Sequence, residues 1–357
     1  MTYKTADNNF GTAKWIVDST AGQGTHTTIA SALTSASSGD TIFIRPGSYT
    51  EDLTLKAGVN LSAYDCDAIT PNVTIVGKCT HNTAGTLTCS GIRFQTNSDY
   101  CIVNSGSSAS ILNLVDCYIN GSNSSPISFT SSSSSAQVNL FKCRGDLGTT
   151  GIKFFDQTSA GTLKIEYSRF DNSGSSTTAS TASAGNTNFH FSIILFAITT
   201  SSTNTFDGHS SRFDTSSIST TCLTIGGSGN SSLRICELSS NSASAISIGS
   251  TLTAYNNNIN STNTNVVTGA GTYYYTANTY GNNATPNTST RTPEYLDAGT
   301  LIIQGGPYLL SGSGSPNGSI TAPKGSLYMR IDGSSTSTRA YVNTNGGTTW
   351  TNITTAA

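Results

Sequence analysis

One short pattern of apolar and polar positions recurs along this chain: apolar, two residues of any type, small, any, apolar, then often Asn or Asp. Clear copies begin at Leu114, Leu140 and Ile165, with steps of 26 and 25 residues. Weaker copies begin at residues 87, 208, 235, 254 and 275. The longest step, 43 residues from Ile165, contains the run SGSSTTASTASAGN, which we interpret as an insertion. A nearly constant step indicates a structural repeat.

A second apolar alternation follows most copies about a dozen residues later. Alternation with period two is typical of β-strands. Examples are Ile127-Ser-Phe129, Ile152-Lys-Phe154, Leu223-Thr-Ile225 and Ile246-Ser-Ile248. Two or three short strands per copy, with Asn, Gly and Ser between them, predict an all-β solenoid. We identify it as a parallel β-helix in which each copy is one coil.

Stacking of the coils assigns a role to each position of the pattern. We predict that Leu114, Leu140 and Ile165 lie on top of one another inside the helix, in consecutive coils. The small position, held by Cys117 and Cys143, should form an inward column. Asn and Asp tolerate left-handed backbone, so we expect a tight corner at the last position of the pattern.

The segment before the first coil has a different period. Residues 27–33 carry apolar side chains at helical spacing, and Thr27 or Thr28 can serve as the N-cap. Strand signals follow from Asp40 onward. A short helix at the open end of a β-helix covers strand edges that would otherwise invite aggregation. The sequence therefore predicts an N-terminal capping helix.

The composition narrows the class of protein. Apolar residues make up 35% of the 357 residues and charged residues only 10%, with a formal net charge of −2. Disordered chains combine high net charge with few aromatic residues, whereas this chain has 13 Phe and 15 Tyr. A net charge this close to zero indicates no positively charged surface for the phosphates of nucleic acid, so we expect no nucleic-acid partner.

The lengths of the apolar runs and the spacing of the cysteines exclude further classes of protein. The longest apolar segment, residues 191–198, is too short to cross a bilayer, so we expect no membrane insertion. The first 15 residues lack the apolar core of a secretory signal, and release by cell lysis as part of a virus particle is one other route outward. The eight Cys show no metal-binding spacing, and we interpret them as buried free thiols.

Two stretches resemble known proteins. The segment GTHTTIASALTSASSGDTIFIRPGSYTEDLTLKAGVNL, with Pro46, Gly47, Tyr49 and Glu51 in a "PG-x-Y-x-E" turn, resembles the opening of pectin-lyase-like, right-handed β-helix proteins. The run GSPNGSITAPKGSLYMRIDG and the Trp350 that follows it resemble a module that ends many bacteriophage tail fibre and tailspike proteins. The resemblance implies a right-handed β-helix in a homotrimer on a virion.

The same resemblance implies a division of the chain and a function. We expect an N-terminal attachment segment over residues 1–20, a β-helix shaft over 21–290 and a C-terminal trimerisation or tip module over 291–357. The implied location is the virion tail, extracellular when acting, with other tail proteins and a host cell-surface glycan or protein as partners. The alternatives are a tailspike depolymerase that cleaves surface polysaccharide and a secreted β-helix adhesin or polysaccharide lyase. The clustered calcium-binding Asp residues of the lyases are absent from this sequence, so catalysis does not follow from the resemblance.

Three copies of the pattern place Arg and Asp two residues apart. Residues two apart on a strand share a face, so these side chains should line one outer face of neighbouring coils. They form either an ion ladder or trimer contact, or a strip that binds carboxylates or sugars through Arg forks. The residues are Arg144, Arg169 and Arg212 with Asp146, Asp171 and Asp214.

The three Asp residues are also the candidate catalytic groups if the chain is a depolymerase. Coils about 4.8 Å apart would bring carboxylates near the ~5–5.5 Å separation of a retaining glycosidase. A general acid needs a raised pKa, however, and a neighbouring Arg lowers it. We therefore expect receptor binding without cleavage, and no metal or cofactor. The C-terminal residues expected to contact the receptor are Tyr328, Arg330, Tyr341 and Trp350.

Overall fold

The computed structural model describes residues 14–64, 71–95, 100–121, 125–148, 151–241, 244–262, 266–276, 278–280, 290–293, 300–302 and 307–354. Most of these residues coil through three parallel sheets, which we name A, B and C. Each coil gives one strand to sheet A, then one to sheet B, then one to sheet C, and the next coil pairs with it in register. This architecture confirms the predicted all-β, right-handed parallel β-helix.

The strands of the β-helix are short. Sheet A contains Trp15–Val17, Thr41–Ile44, Asn60–Ala63, Gly85–Ser90, Ser110–Val115, Gln137–Phe141, Thr162–Glu166, Asn186–His190, Thr205–His209, Asn230–Arg234, Thr251–Tyr255, Thr272–Thr276 and Thr290–Pro293. Sheet B contains Gly47–Thr50, Val73–Val76, Ile92–Gln95, Tyr118–Asn120, Arg144–Asp146, Arg169–Asp171, Ile193–Ile194, Arg212–Asp214, Glu237–Ser240, Asn258–Ser261 and Thr279–Tyr280. Sheet C contains Leu53–Thr54, Cys79–His81, Ile102–Asn104, Ile127–Phe129, Phe155–Gln157, Ser180–Ala182, Ile198–Thr200, Leu223–Ile225, Ile246–Ile248 and Val267–Thr268.

The core is built from the inward positions of these strands. Leu114 pairs with Leu140, and Leu140 pairs with Ile165, and all three side chains are buried as predicted. Cys117 and Cys143 are also buried, and Ser168 continues their column in the next coil. The seven cysteines that the structure describes are free and buried, and Cys66 lies outside the described residues. Burial raises the pKa of the Cys143 thiol, so this column has a packing role.

The tight corner between sheets A and B is not where the sequence predicted it. The left-handed residue is the third of the pattern, as in Asp116, Lys142 and Tyr167, with φ of 51°, 53° and 50°. Asn120 and Asp146, at the last position, lie in extended strands of sheet B. One left-handed residue turns the chain sharply, which directs the next side chain, Cys or Ser, into the core.

The register also corrects the count of coils. Phe189 pairs with Ile165 on one side and with Gly208 on the other. The step of 43 residues is therefore two coils, not one coil with an insertion. The copies placed at residues 87 and 235 are shifted by two residues, because Cys89 pairs with Leu114 and Leu233 pairs with Gly208.

The predicted capping helix is present at Ile29–Ser35, with Thr28 as its N-cap. The Thr28 hydroxyl accepts a hydrogen bond from the Ser31 N–H. Glu51, the last residue of the PG-x-Y-x-E turn, accepts the backbone N–H of Ile29 and of Ala30, each at 2.9 Å. A carboxylate at a helix start satisfies N–H groups that have no partner within the helix. The turn therefore fastens the helix onto the first coil.

The ends of the shaft differ from the predicted boundaries. The strand Trp15–Val17, which lies within the expected attachment segment, pairs with Ile42–Ile44 and is the first strand of sheet A. Residues 1–13 lie outside the described residues. At the other end, the strand Thr290–Pro293 still pairs with sheet A, so the shaft extends to residue 293.

The C-terminal module forms a separate sheet, which we name sheet D. Its strands are Thr300–Ile302, Tyr308–Gly312, Leu327–Arg330, Ala340–Asn343 and Trp350–Ile353. The described hydrophobic core of the module is small, with four buried side chains and three partly buried ones packed against them. The buried residues are Ala322, Tyr328, Tyr341 and Trp350.

Candidate functional site

The predicted Arg and Asp positions lie on the outer face of sheet B. Arg144 pairs with Arg169 and Asp146 with Asp171, so these two coils are adjacent as expected. Arg212 is not adjacent to Arg169, because Ile193 of the intervening coil pairs with both. The predicted column of three neighbouring coils is therefore interrupted by an apolar residue. The intervening coil, which contains Ile193, is the additional coil within the 43-residue step.

Two of the Asp residues on this face accept hydrogen bonds from the Arg side chains of their own strands. Arg169 Nε donates to Asp171 Oδ1 at 2.9 Å, and Arg212 donates to Asp214 Oδ2 at 2.7 Å. Burial raises the pKa of the Asp214 carboxyl, but hydrogen bonds from Ser216 and Arg212 outweigh it and the net pKa is lowered. Exposed pairs of this kind contribute about 0–1 kcal/mol each. The lowered pKa of Asp214 argues against a role for this carboxyl as the protonated acid of glycan cleavage.

The corner between sheets A and B carries a column of rings that the sequence analysis did not identify. Tyr167 and Phe191 stack at 5.0 Å between ring centroids with an interplanar angle of 4°. Phe141 and His209 contact the two ends of this stack edge-on, each at 5.5 Å. We name these four residues the corner column. Tyr167 is 54% exposed and Phe191 48% exposed.

The backbone beneath these rings is unfavourable for large side chains. Tyr167 and Phe191 have φ of 50° and 52°, in the left-handed region that costs L-residues other than Gly and Asn roughly 1–2 kcal/mol. Asn256, at the same corner two coils beyond Ser210, satisfies the usual preference. Left-handed backbone recurs at this corner in each coil from Asp116 to Asn256, so it is a feature of the fold. The stacked and exposed rings of Tyr167 and Phe191 identify the corner column as a candidate binding surface.

Charged groups flank the column on the sheet A side. His190 Nδ1 lies 3.5 Å from Glu166 Oε1, and His190 Nε2 lies 3.1 Å from Asp207 Oδ2. Lys164 pairs with Glu166 at 3.0 Å, and Arg234 lies 3.4 Å from Asp207. This network links four successive coils. It gives the outer face of sheet A a fixed arrangement of donors and acceptors beside the exposed rings.

The electrostatics of Asp207 favour binding over acid catalysis. Burial raises the pKa of its carboxyl, but hydrogen bonds from Ser232 and His190, together with the charge of Arg234, lower it overall. A general acid needs a pKa raised toward the working pH. Asp207 is therefore ionised and acts as a hydrogen-bond acceptor.

Three of the four C-terminal residues expected to contact a receptor, the aromatic ones, belong to the core of their module. Tyr328, Tyr341 and Trp350 are at most 8% exposed, and the Trp350 indole N–H donates to the Ile320 carbonyl at 2.7 Å. Arg330 donates to both carboxylate oxygens of Asp332 at 2.9 Å. Buried rings have little surface to offer a ligand, so we reassign the three aromatic residues to packing.

Other kinds of site are not found in the part of the chain that the structure describes. No helix among those residues is long and apolar enough to cross a membrane. The same residues contain no group of three or more His, Cys, Asp or Glu that could hold a metal ion.

The chain matches no protein-family model and no curated protein. Among solved structures it is similar to a pectin methylesterase from Aspergillus niger, with 14% identity, 82% of this chain and 92% of that chain covered, and a TM-score of 0.37. A mutant pectin methylesterase in complex with a hexasaccharide shares 11% identity over 80% of this chain and 96% of that chain, with a TM-score of 0.38. The pectin methylesterase PemA from Erwinia chrysanthemi has 10% identity, the same coverages and a TM-score of 0.33.

Proposed function

We propose that this protein is a trimeric fibre or spike subunit of a virus particle that binds a host-surface glycan without cleaving it. The observation that carries the binding role is the exposed Tyr167–Phe191 stack on a rigid β-helix. Exposed aromatic rings contribute large contact areas at low conformational cost. The network of Glu166, His190 and Asp207 beside them offers charged hydrogen-bonding groups for sugar hydroxyls.

The virion location and the trimer rest on the C-terminal module. Its sequence resembles the module that ends phage tail fibres, and one of its surfaces exposes Leu327, Met329 and Ile331. Apolar patches on a small module favour association with identical copies around a symmetry axis. Three weak glycan sites on one trimer raise the affinity through effective concentration.

A specific observation favours a second candidate function, a depolymerase. Glu166 and Asp207 flank His190 on the outer face of sheet A, which gives two carboxylates next to the exposed rings. The lowered pKa of Asp207 argues against a role as the general acid. If cleavage occurs, we expect Glu166→Gln to abolish it.

Adsorption of the purified protein to host cells tests the binding proposal. We expect Tyr167→Ala with Phe191→Ala to lose most adsorption, because each ring contributes contact area. The matched control is Ile235→Ala, which removes another exposed apolar side chain from the same left-handed corner. Equal adsorption by both variants would contradict the proposal. Oligosaccharides released from host polysaccharide by the unmodified protein would identify a depolymerase instead.

A further inference from the structure

The outer face of sheet B continues beyond the predicted Arg positions toward the N-terminus. Arg93 pairs with Tyr118, and Tyr118 pairs with Arg144, so the three residues occupy the same position in consecutive coils. The Arg93 guanidinium carbon lies 4.8 Å from the centre of the Tyr118 ring. We name these three residues the cationic strip.

The two guanidinium groups of the strip differ from those of Arg169 and Arg212. Those two arginines pair with the Asp residue two positions onward in their own strands. Among the described residues, Arg93 and Arg144 form no ion pair, and the buried Arg93 Nε has no hydrogen-bond acceptor. Neither guanidinium charge is therefore paired with a carboxylate of the described chain, and each can donate to an anionic ligand that arrives from solvent.

The acidic residues near the strip do not neutralise it. Asp146, in the same strand as Arg144, accepts hydrogen bonds from the Ser173 N–H at 2.8 Å and from the Ser173 hydroxyl. Asp116 and the exposed Lys142 lie in adjacent coils at the corner between sheets A and B. Among the described residues of these coils, the cations Arg93, Lys142, Arg144 and Arg169 outnumber the carboxylates Asp116, Asp146 and Asp171 by one.

We propose that the cationic strip binds the carboxylates of an acidic glycan, a substrate class that deepens the proposed glycan binding and depends on it. The planar guanidinium group of Arg can donate two parallel hydrogen bonds to one carboxylate. Arg93 and Arg144 are two coils apart, about 10 Å at the usual strand spacing, which is comparable to two sugar rings. A chain with a carboxylate on every second sugar would therefore reach both guanidinium groups along the fibre axis.

Tyr118 completes the strip between the two arginines. Burial, and the nearby charge of Asp146, raise the pKa of its hydroxyl, which stays a neutral hydrogen-bond donor. It would contact the uncharged sugar that separates two carboxylates. An aromatic hydroxyl between two guanidinium groups thus matches the alternation of acidic and neutral sugars.

Calorimetric titration of the full-length protein with hyaluronan oligosaccharides tests this inference. The comparison ligand is the same oligosaccharide with its carboxylates converted to methyl esters. We expect the acid form to bind and the ester to bind at least about tenfold more weakly, because the charge-assisted hydrogen bonds are lost. We also expect Arg93→Gln and Arg144→Gln each to weaken the acid form by a similar factor, with unchanged circular dichroism.

The matched control is Arg212→Gln, which removes a paired guanidinium from the same position of a later coil. Equal losses in Arg212→Gln and Arg144→Gln, equal affinity for acid and ester, or no binding of the acid form would overturn the inference. Equal affinity for a sulfated oligosaccharide would overturn the preference for carboxylates. The proposed function fails separately, when Tyr167→Ala with Phe191→Ala leaves host adsorption intact.

Discussion

Aromatic residues occupy the A–B corner and the C-terminal module, and the two regions use them in opposite ways. In the module, Tyr328 and Trp350 are buried, and their rings meet edge-on at 5.9 Å. At the corner, Tyr167 and Phe191 stack face to face while about half of each side chain stays exposed. From residue types alone, the rings of the module were the expected contacts with a receptor. Strand register, and not residue type, therefore decides which rings a partner can reach.

Removal of the C-terminal module should have the largest effect on the association of the chains. We expect a chain ending at Pro293 to sediment as monomers or aggregates, because the exposed residues Leu327, Met329 and Ile331 would no longer hold copies together. The full-length variant Met329→Ser with Ile331→Ser should weaken the proposed trimer without removing the module core. Stable trimers of the shortened chain would show that the shafts associate without the module.

Replacement of a buried ring in the module should have a large effect on stability. We expect Trp350→Ala to destabilise the module by about 3–5 kcal/mol, because the cavity left by a buried Trp cannot close fully. Protease digestion followed by mass spectrometry should show cleavage within residues 307–354 and an intact shaft. The exposed Met329→Ala is the control, and an equal protease sensitivity of both variants would contradict the buried assignment.

Acid sensitivity tests the charged network beside the corner. The lowered pKa of Asp207 means that its ionised form stabilises the fold above the ordinary Asp pKa of about 4, and that this contribution is lost as the pH falls through the lowered value. We expect Asp207→Asn to be less stable than the unmodified protein at pH 7 and to converge with it in strong acid. A difference in unfolding free energy that stays constant with pH would contradict the ionised assignment.

Relief of backbone strain should produce the smallest effect. Ile235 has φ of 56° and is exposed at the same corner position as Tyr167. We expect Ile235→Asn to stabilise the shaft by about 1 kcal/mol, because a β-branched side chain is unfavourable in left-handed backbone. The reverse change, Asn256→Ile, should destabilise it by a similar amount in chemical denaturation. A loss of stability in Ile235→Asn would show that packing of Ile235 outweighs the strain.

The fold could be predicted because apolar and polar residues alternate with period two and the pattern recurs at a nearly constant step along the sequence. The stacking of Leu114, Leu140 and Ile165 follows directly from that repeat. The coil around Phe189 was missed because its copy begins with an aromatic residue and follows a Ser-rich connection. The corner column was missed for the same reason, since Phe191 belongs to that coil.

The cationic strip was missed through a shift of register. The copy that starts at Cys89 was placed at Leu87, which removed Arg93 from the column of outward Arg residues. An alignment on the turn residue would have corrected it, because Gly91 has a φ of 68° and precedes Ile92 as Asp116 precedes Cys117. The burial of Tyr341 and Trp350 follows from packing in the folded module, which the residue types alone do not reveal.

Host-cell adsorption by three proteins of equal trimer content decides between the corner column and the C-terminal module as the receptor site. They are the full-length protein, the full-length Tyr167→Ala with Phe191→Ala variant, and residues 1–293 fused to a foreign trimerisation domain. We predict that the fused shaft adsorbs as strongly as the full-length protein and that the double variant loses adsorption. Loss of adsorption in the fused shaft, with full adsorption by the double variant, would return the receptor site to the C-terminal module.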